Sequence, residues 1–365
     1  MKPGYADRLR RASEEAGRQG FAALVVAPSP DLRYLLGYEP MPLERLTALV
    51  LRPGNDPVLL VPELERPLAT QAPAGDLLAI EGWIDGVDPY ERTARLLPAE
   101  GRVAVGDRLW SSHLLGLQRA RPDVRFSPGS PVMGRLRAVK DPDELDVLRR
   151  AGRAADETFR QIVGLPFVGR REEEVAADLA RLLIEHGHRT AEFTIVASGP
   201  NAASPHHEPG PRTIVPKDAV VMDFGGELAG YYSDTTRTVA VVEPSEELEQ
   251  VFAVVREAQA AAVDAVGPGV TTGSVDAVAR DVIEAAGFGE RFVHRTGHGI
   301  GLEVHEPPYL VAGDQTVLEP GVTFSVEPGI YLPGRLGVRI EDIVAVTSDG
   351  VERLNRSSRD LIVVS

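Results

Sequence analysis

Four acidic residues in paired settings are the part of this chain with the most chemical potential. Asp223 follows an apolar run in VVMDFGG (220–226), and Glu327 follows another in TFSVEPG (323–329). Asp234 opens SDTTRTVAV (233–241), and Glu341 lies in RIEDIVAV (339–346). Glycine-flanked β-branched runs read as strands, and the stretch 220–242 reads as two strands of a hairpin with a carboxylate at the inward end of each. Such a carboxylate is costly in a core unless something cationic stands beside it. At ~4 Å and an effective dielectric near 20, each like-charged contact costs about 4 kcal/mol. Four gathered carboxylates can therefore share protons, as paired aspartates do, or bind metal. His298, among the glycines of FVHRTGHGIGLEVHEPP (292–308), turns the choice toward metal. Its glycine neighbours allow a tight backbone bend that would aim the imidazole. One imidazole with four carboxylates carries enough charge to neutralise two divalent cations, and a hydroxide between two such ions is the natural nucleophile at neutral pH.

For the four acids to meet, two halves of the chain must fold face to face. Helical spacing is expected from Pro142 onward, over 171–185, over about 244–266 and over 274–286. Val175 matches Val275, Leu183 matches Ile283 and Gly187 matches Gly287, all at one offset, and each helix pair leads toward strands carrying acids. Coincidence competes with a repeat for so few matches. If the repeat is real, Asp223 corresponds to Glu327 and Asp234 to Glu341. Upstream, residues 5–19 have helical spacing, and short apolar runs at 21–27, 46–54, 56–62, 76–80, 102–106 and 123–127 read as strands. Residues 1–130 are expected to form a smaller α/β domain without a catalytic constellation, and 131–365 the catalytic domain of an α+β protein. His113 is read there as a packing or helix-surface residue.

At 365 residues the chain is too long for one ordinary core. A net charge of −15 disfavours nucleic acid and anionic membrane surfaces, though a basic protein partner stays conceivable. With no cysteine, disulfides, Fe–S clusters and thiolate zinc sites are excluded, so any metal takes His, Asp and Glu. No window reaches the apolar length of a membrane span, and the expected setting is cytoplasmic. Two motifs in the glycine-rich stretch fail. His294 and His298 have zincin spacing, but residue 295 is Arg rather than Glu, and Gly297-x-Gly299-x-Gly301 lacks the strand–helix context of a dinucleotide site.

The stretches PHH (205–207), DFGG (223–226), GYYSDTTRT (230–238), GHGIGLEVHE (297–306), SVEPGIY (325–331) and GVRIED (337–342) resemble the pita-bread metallopeptidases, in particular their Xaa-Pro branch of prolidases and aminopeptidases P. The resemblance covers the C-terminal half. Upstream it is confined to SPDLRYLLGY (29–38), similar to the creatinase-like N-terminal domain but with Asp31 where Asn is common. It implies a C-terminal pita-bread domain with a pseudo-twofold repeat. It implies Asp223 on one metal, His298 and Glu327 on the other, and Asp234 and Glu341 bridging them. Glu327 would also be the general base, His206 and His305 would contact the scissile carbonyl, and Arg339 would stand beside the site. Mn²⁺ is the expected ion, with Co²⁺ or Zn²⁺ as alternatives, and a homodimer is implied.

Other residues keep two readings. Tyr231 is either a substrate contact or strand-edge packing, and His294 either core or substrate-facing. His207 is read as a neighbour of the catalytic His206, Arg237 as ordering the carboxylates, and His186 and His188 as structural residues at a helix C-terminus. The leading function is hydrolysis of an Xaa-Pro dipeptide, with aminopeptidase P action on longer peptides as the alternative. A metal-free creatinase-like hydrolase and a pseudoenzyme are disfavoured because all five ligand positions are filled. Methionine aminopeptidase is disfavoured by the length of chain before the site.

Overall fold

The computed structural model describes residues 4–365, so residues 1–3 of the expected N-terminal domain lie outside the described residues. The chain divides into two compact units, Met1–Arg137 and Ala138–Ser365.

In the first unit six strands form one sheet in the order β4-β3-β2-β1-β5-β6. These are β1 (Ala23–Val26), β2 (Ala48–Leu51), β3 (Val58–Pro62), β4 (Ala79–Trp83), β5 (Gly101–Val105) and β6 (Val124–Pro128). Helices α1 (Tyr5–Arg18), α2 (Pro30–Leu36), α3 (Arg66–Gln71), α4 (Pro89–Leu96), α5 (Ser111–Ala120) and α6 (Ser130–Ala138) connect and flank them. α1 buries Leu9, Ala12 and Ala16, the stripe its spacing requires. α2 starts where Ser29 Oγ accepts from Leu32 N and stops at Gly37, whose φ of 63° suits a residue without Cβ. Asp31 meets Arg137 at 2.8 Å, and α6 buries Val132, Met133 and Leu136, which places that helix with the first unit up to Arg137. His113 is a packing residue, stacked on Trp110 and hydrogen-bonded to Tyr90 Oη at 3.1 Å.

The second unit opens with α7 (Pro142–Ile162), entered through a capping box between Asp141 and Glu144. It continues with α8 (Glu172–Glu185), α9 (Glu246–Asp264) and α10 (Thr272–Ala285). Strands β7 (Thr190–Ser198), β8 (Ala219–Leu228), β9 (Tyr231–Tyr232) and β10 (Thr235–Val241) precede α9. After α10 come β11 (Gly297–Gly299), β12 (Glu306–Leu310), β13 (Thr323–Val326), β14 (Gly329–Leu332), β15 (Leu336–Arg339), β16 (Asp342–Val346), β17 (Val351–Arg353) and β18 (Ile362–Val364). One sheet runs β18-β10-β8-β7 with β9 on β8, another β12-β11-β13-β16-β17, and β14-β15 form a ribbon.

The repeat is structural. Gly169 and Gly269 both take positive φ (82° and 87°), as do Gly187 and Gly287 (106° and 84°), and they bracket α8 and α10. Isolated bridges before those helices match as well, Arg171 with Thr213 and Thr271 with Val317. Each helix pair packs on its own sheet. Phe159, Val175, Leu179 and Leu183 meet Val220, Met222 and Phe224, while Val251, Val255, Val275 and Ile283 meet Phe324, Val326 and Val344.

Candidate metal centre

Strand alternation decides which face each acid occupies. Val220, Met222 and Phe224 of β8 enter the helix-covered core, so Asp223 faces the other way. Phe324 and Val326 of β13 do the same, which turns Ser325 and then Glu327 to the inner face. Val326 pairs with Asp342, so Glu327 and Glu341 lie just beyond the paired ends of β13 and β16, next to one another. Asp223 pairs across with Thr236, and Asp234 stands at the entry to β10. The two hairpins are then tied together: Glu341 N donates to Thr236 O at 3.0 Å, and Thr236 Oγ1 donates to Glu341 Oε2 at 2.7 Å. His298 is on β11, held between β12 and β13.

The flanking glycines do something other than the bend expected from sequence. Gly297 and Gly299 are in an extended strand, and neither has a positive φ. A Cβ on Gly297 would sit 1.8 Å from Ser325 O, and one on Gly299 2.4 Å from Pro307 O. Close approach of two neighbouring backbones, rather than a turn, excludes side chains on both sides of His298.

His298 Nδ1 faces Gly299 O at 3.1 Å, and a carbonyl can only accept, so Nδ1 donates there. Nε2 is turned to Glu327 Oε1, 3.2 Å away, and Asp234 Oδ2, 3.6 Å away. Between that nitrogen and the two carboxylates a proton or a cation must stand. Asp234, His298 and Glu341 can each place a ligand atom within 4.8 Å of the others'. Asp223 Oδ1 and Glu341 Oε1 are buried without a hydrogen-bond partner. Asp223 Oδ2 accepts from Arg339 Nη2 at 2.7 Å, and that guanidinium also bonds Thr236 Oγ1 and Tyr331 Oη, so it is fully engaged. Burial, then the neighbouring carboxylates, push Asp234 and Glu341 well above the usual range. Burial also acts to raise Glu327, but the His298 hydrogen bond and nearby positive charge outweigh it and hold Glu327 down at about 2. Orphaned oxygens, an imidazole nitrogen turned to two carboxylates and carboxylates short of counter-charge fit divalent cations held by oxygen and one imidazole.

Those groups open into a cavity of ≈ 660 Å³ that is also lined by His206, His294, His305 and Arg339. Its apolar wall is Phe193, Ile195, Pro205 and Val304. The His305 ring lies edge-on to His298 with centroids 4.1 Å apart. Burial, then the charges of His298 and Arg295, push it down to about 4, so it is neutral at pH 7. His294 reaches the cavity while bonding Tyr331 Oη at 2.8 Å, and burial lowers its pKa as well. Tyr231 is not brought to the cavity. Its hydroxyl donates to Glu144 Oε1 of α7 at 2.7 Å, which fits the packing reading of the two rather than the substrate contact. Arg237 donates to Glu341 O, Thr236 O and Asp342 Oδ1, fixing the backbone beneath Glu341. His188 bonds Ser233 Oγ, and His186 bonds Gln161. Sequence reasoning missed Thr236 and Tyr331, although both stand in stretches already singled out; their hydroxyls gave no signal apart from that position.

The description Metallopeptidase family M24 matches residues 146–348, and Creatinase/Prolidase N-terminal domain matches residues 8–139. The chain is 46% identical over 363 residues to a probable dipeptidase PepE of Mycobacterium tuberculosis, covering 99% of this chain and 96% of that one. It is 39% identical over 342 residues to an Xaa-Pro dipeptidase of Lactobacillus helveticus, covering 91% and 92%. The crystal structure of dipeptidase PepE from Mycobacterium ulcerans superposes with a TM-score of 0.96 at 45% identity, covering 100% and 99%.

Proposed function

This chain belongs to metallopeptidase family M24 and carries a creatinase/prolidase N-terminal domain, and from that premise we infer that it hydrolyses the Xaa-Pro bond of dipeptides. One observation carries the reading: four carboxylates and one imidazole share a cavity in which two buried carboxylate oxygens have no partner. Asp223, Asp234, His298, Glu327 and Glu341 would hold two divalent ions, Mn²⁺ by the softness of the donors. When bound, the ions supply Lewis acidity and lower the pKa of water. Glu327, ionised at neutral pH, accepts a proton from the attacking water and returns it to the leaving proline nitrogen. His206 and the neutral His305 donate N–H groups to the scissile carbonyl oxygen as it gains charge. Arg339 acts through Asp223, aligning that carboxylate, and His294 faces substrate while anchored on Tyr331. The apolar wall takes the pyrrolidine ring. The same reading has a homodimer working in the cytoplasm; no described helix is long and apolar enough to cross a membrane.

The test is a paired assay on metal-stripped protein with Mn²⁺ restored, using an Xaa-Pro dipeptide and an Xaa-Pro-Yaa tripeptide. Cleavage of the dipeptide alone is expected. Efficient tripeptide cleavage would move the assignment to aminopeptidase P action, and inactivity on both would reject Xaa-Pro hydrolysis.

A further inference from the structure

The two histidines that face the carbonyl share an unusual feature. Both rings are exposed to the cavity, and neither has a hydrogen bond of its own among the described residues. Something else must fix them, because a donor that wanders by an ångström loses most of its effect on the transition state. The residue after each histidine is turned from the cavity into the protein, His207 against Glu172 and Glu306 against Lys140. There each meets a buried charge.

Behind His206, His207 Nε2 donates to Glu172 Oε2 at 2.9 Å. Glu172 is 0% exposed at the start of α8, and it gathers the whole 198–210 segment. Ser198 N and Oγ each donate to Oε1 at 2.7 Å, Asn201 Nδ2 reaches both oxygens at 3.1 Å, and Gly210 N reaches Oε2 at 3.4 Å. Burial acts to raise this carboxyl, but the bonds from Ser198, His207 and Asn201 outweigh it, so an ionised acid sits at the centre of the loop. Behind His305, Glu306 Oε1 accepts from Lys140 Nζ at 2.8 Å, with both side chains 1% exposed. Gly301 makes room for that pair, since a Cβ there would sit 2.5 Å from Glu306 Oε1 and 2.9 Å from Lys140 Cε. The two clasps are built from Glu172 at the start of α8 and from Lys140 between α6 and α7, with opposite signs of charge and no shared residue.

We propose that Glu172 and Lys140 are positioning residues for hydrolysis: Glu172 holds His206 through His207, and Lys140 holds His305 through Glu306. Each acts on one histidine. The inference rests on the hydrolytic reading above, in which both histidines stabilise the developing oxyanion.

Crossed double-mutant cycles on the Mn²⁺-loaded protein test it, with manganese stoichiometry measured for every variant. Glu172→Gln should lower kcat by about 10- to 100-fold with KM within about twofold, because the lost contact matters only in the transition state. That penalty should vanish in a His206→Ala background and persist in a His305→Ala background. Lys140→Met should behave as the mirror image, losing its effect with His305→Ala and keeping it with His206→Ala. Equal penalties in both backgrounds would mean general structural damage and overturn the proposal. Should Glu172→Gln fail to fold, His207→Leu cuts the clasp alone and enters the same cycle. Crystal structures of Glu172→Gln and Lys140→Met give a readout independent of activity. One imidazole displaced and the other in place is the expected result, and two unmoved imidazoles would refute the positioning. If the wild type cleaves no Xaa-Pro peptide, the hydrolytic reading fails on that ground and the structures still decide the clasps.

Discussion

Replacing Asp234 with Asn separates the cost of gathering the carboxylates from the use made of them. Asp234 is 3% exposed; burial, then Glu341, Asp223 and Glu327, raise its carboxyl well above the ordinary 3.8. In metal-free protein such a group must keep its proton to stay comfortable in the fold, whereas in the unfolded chain it ionises near pH 4. A folded pKa above the unfolded one contributes stability that is fully present below 3.8 and is lost as pH rises toward the folded value. The slope is at most about 1.4 kcal/mol per pH unit, so metal-free wild type loses stability from this carboxyl as pH rises above the ordinary 3.8. Asn has no proton to hold and escapes that loss. In EDTA the Asn variant should therefore gain stability relative to wild type as pH rises above about 4, by up to about 1.4 kcal/mol per pH unit. Mn²⁺ should shift the balance back toward wild type: at 100 times its Kd it stabilises wild type by about 2.7 kcal/mol, and the variant, with a neutral and weaker ligand, by much less. Turnover of the variant should fall by at least about 100-fold. Urea unfolding followed by circular dichroism, with EDTA and then with Mn²⁺ at several pH values, reads both stability effects, and hydrolysis of an Xaa-Pro dipeptide by the Mn²⁺-loaded proteins reads the turnover. Parallel pH profiles for the two metal-free proteins would refute the electrostatic argument, and near-normal turnover would refute the two-metal assignment.

Three further outcomes are expected. Arg237→Met removes the buried guanidinium from Asp342, itself 1% exposed and left with Gln259 and the more distant Arg359; stability should drop by about 3–5 kcal/mol, and a loss under about 1 kcal/mol would argue against a buried ion pair. His188 is buried with its pKa lowered by desolvation, so its contribution is present above the ordinary 6.5 and lost as pH falls below it. His188→Gln should flatten that acid limb by up to about 1.4 kcal/mol per pH unit, read from melting curves between pH 6.5 and 5. Gly301→Ala should cost about 1–3 kcal/mol by overpacking against Lys140 and Glu306, and an unchanged melting temperature would show that the pair can move aside.

Much of the frame was legible in the residues because short-range periodicity carries it. The hairpin through Asp223 and Asp234, the helices before each acidic strand and the offset shared by Gly187 and Gly287 all follow from local pattern. Alternation along β8 and β13 puts Asp223 and Glu327 opposite the core-facing Phe224 and Phe324, so the inward face of each strand could be read one residue at a time. Composition settled which donors a metal could have, since the chain has no cysteine.

The partners of those residues were decided only by the folded chain. Arg339 finds Asp223, Glu172 finds His207, and Tyr231 finds Glu144 rather than the cavity, each across a long stretch of sequence. The glycines around His298 were read as a bend and are instead the places where Ser325 and Pro307 approach, which depends on two strands distant from β11 in the chain. A side chain's face is fixed by its neighbours along the backbone, at a period of two or nearly four residues. Its hydrogen-bond partner is fixed by which buried groups lack one after the sheets have paired. That second condition exists only in three dimensions, and it governs how the acids and histidines of this protein are held.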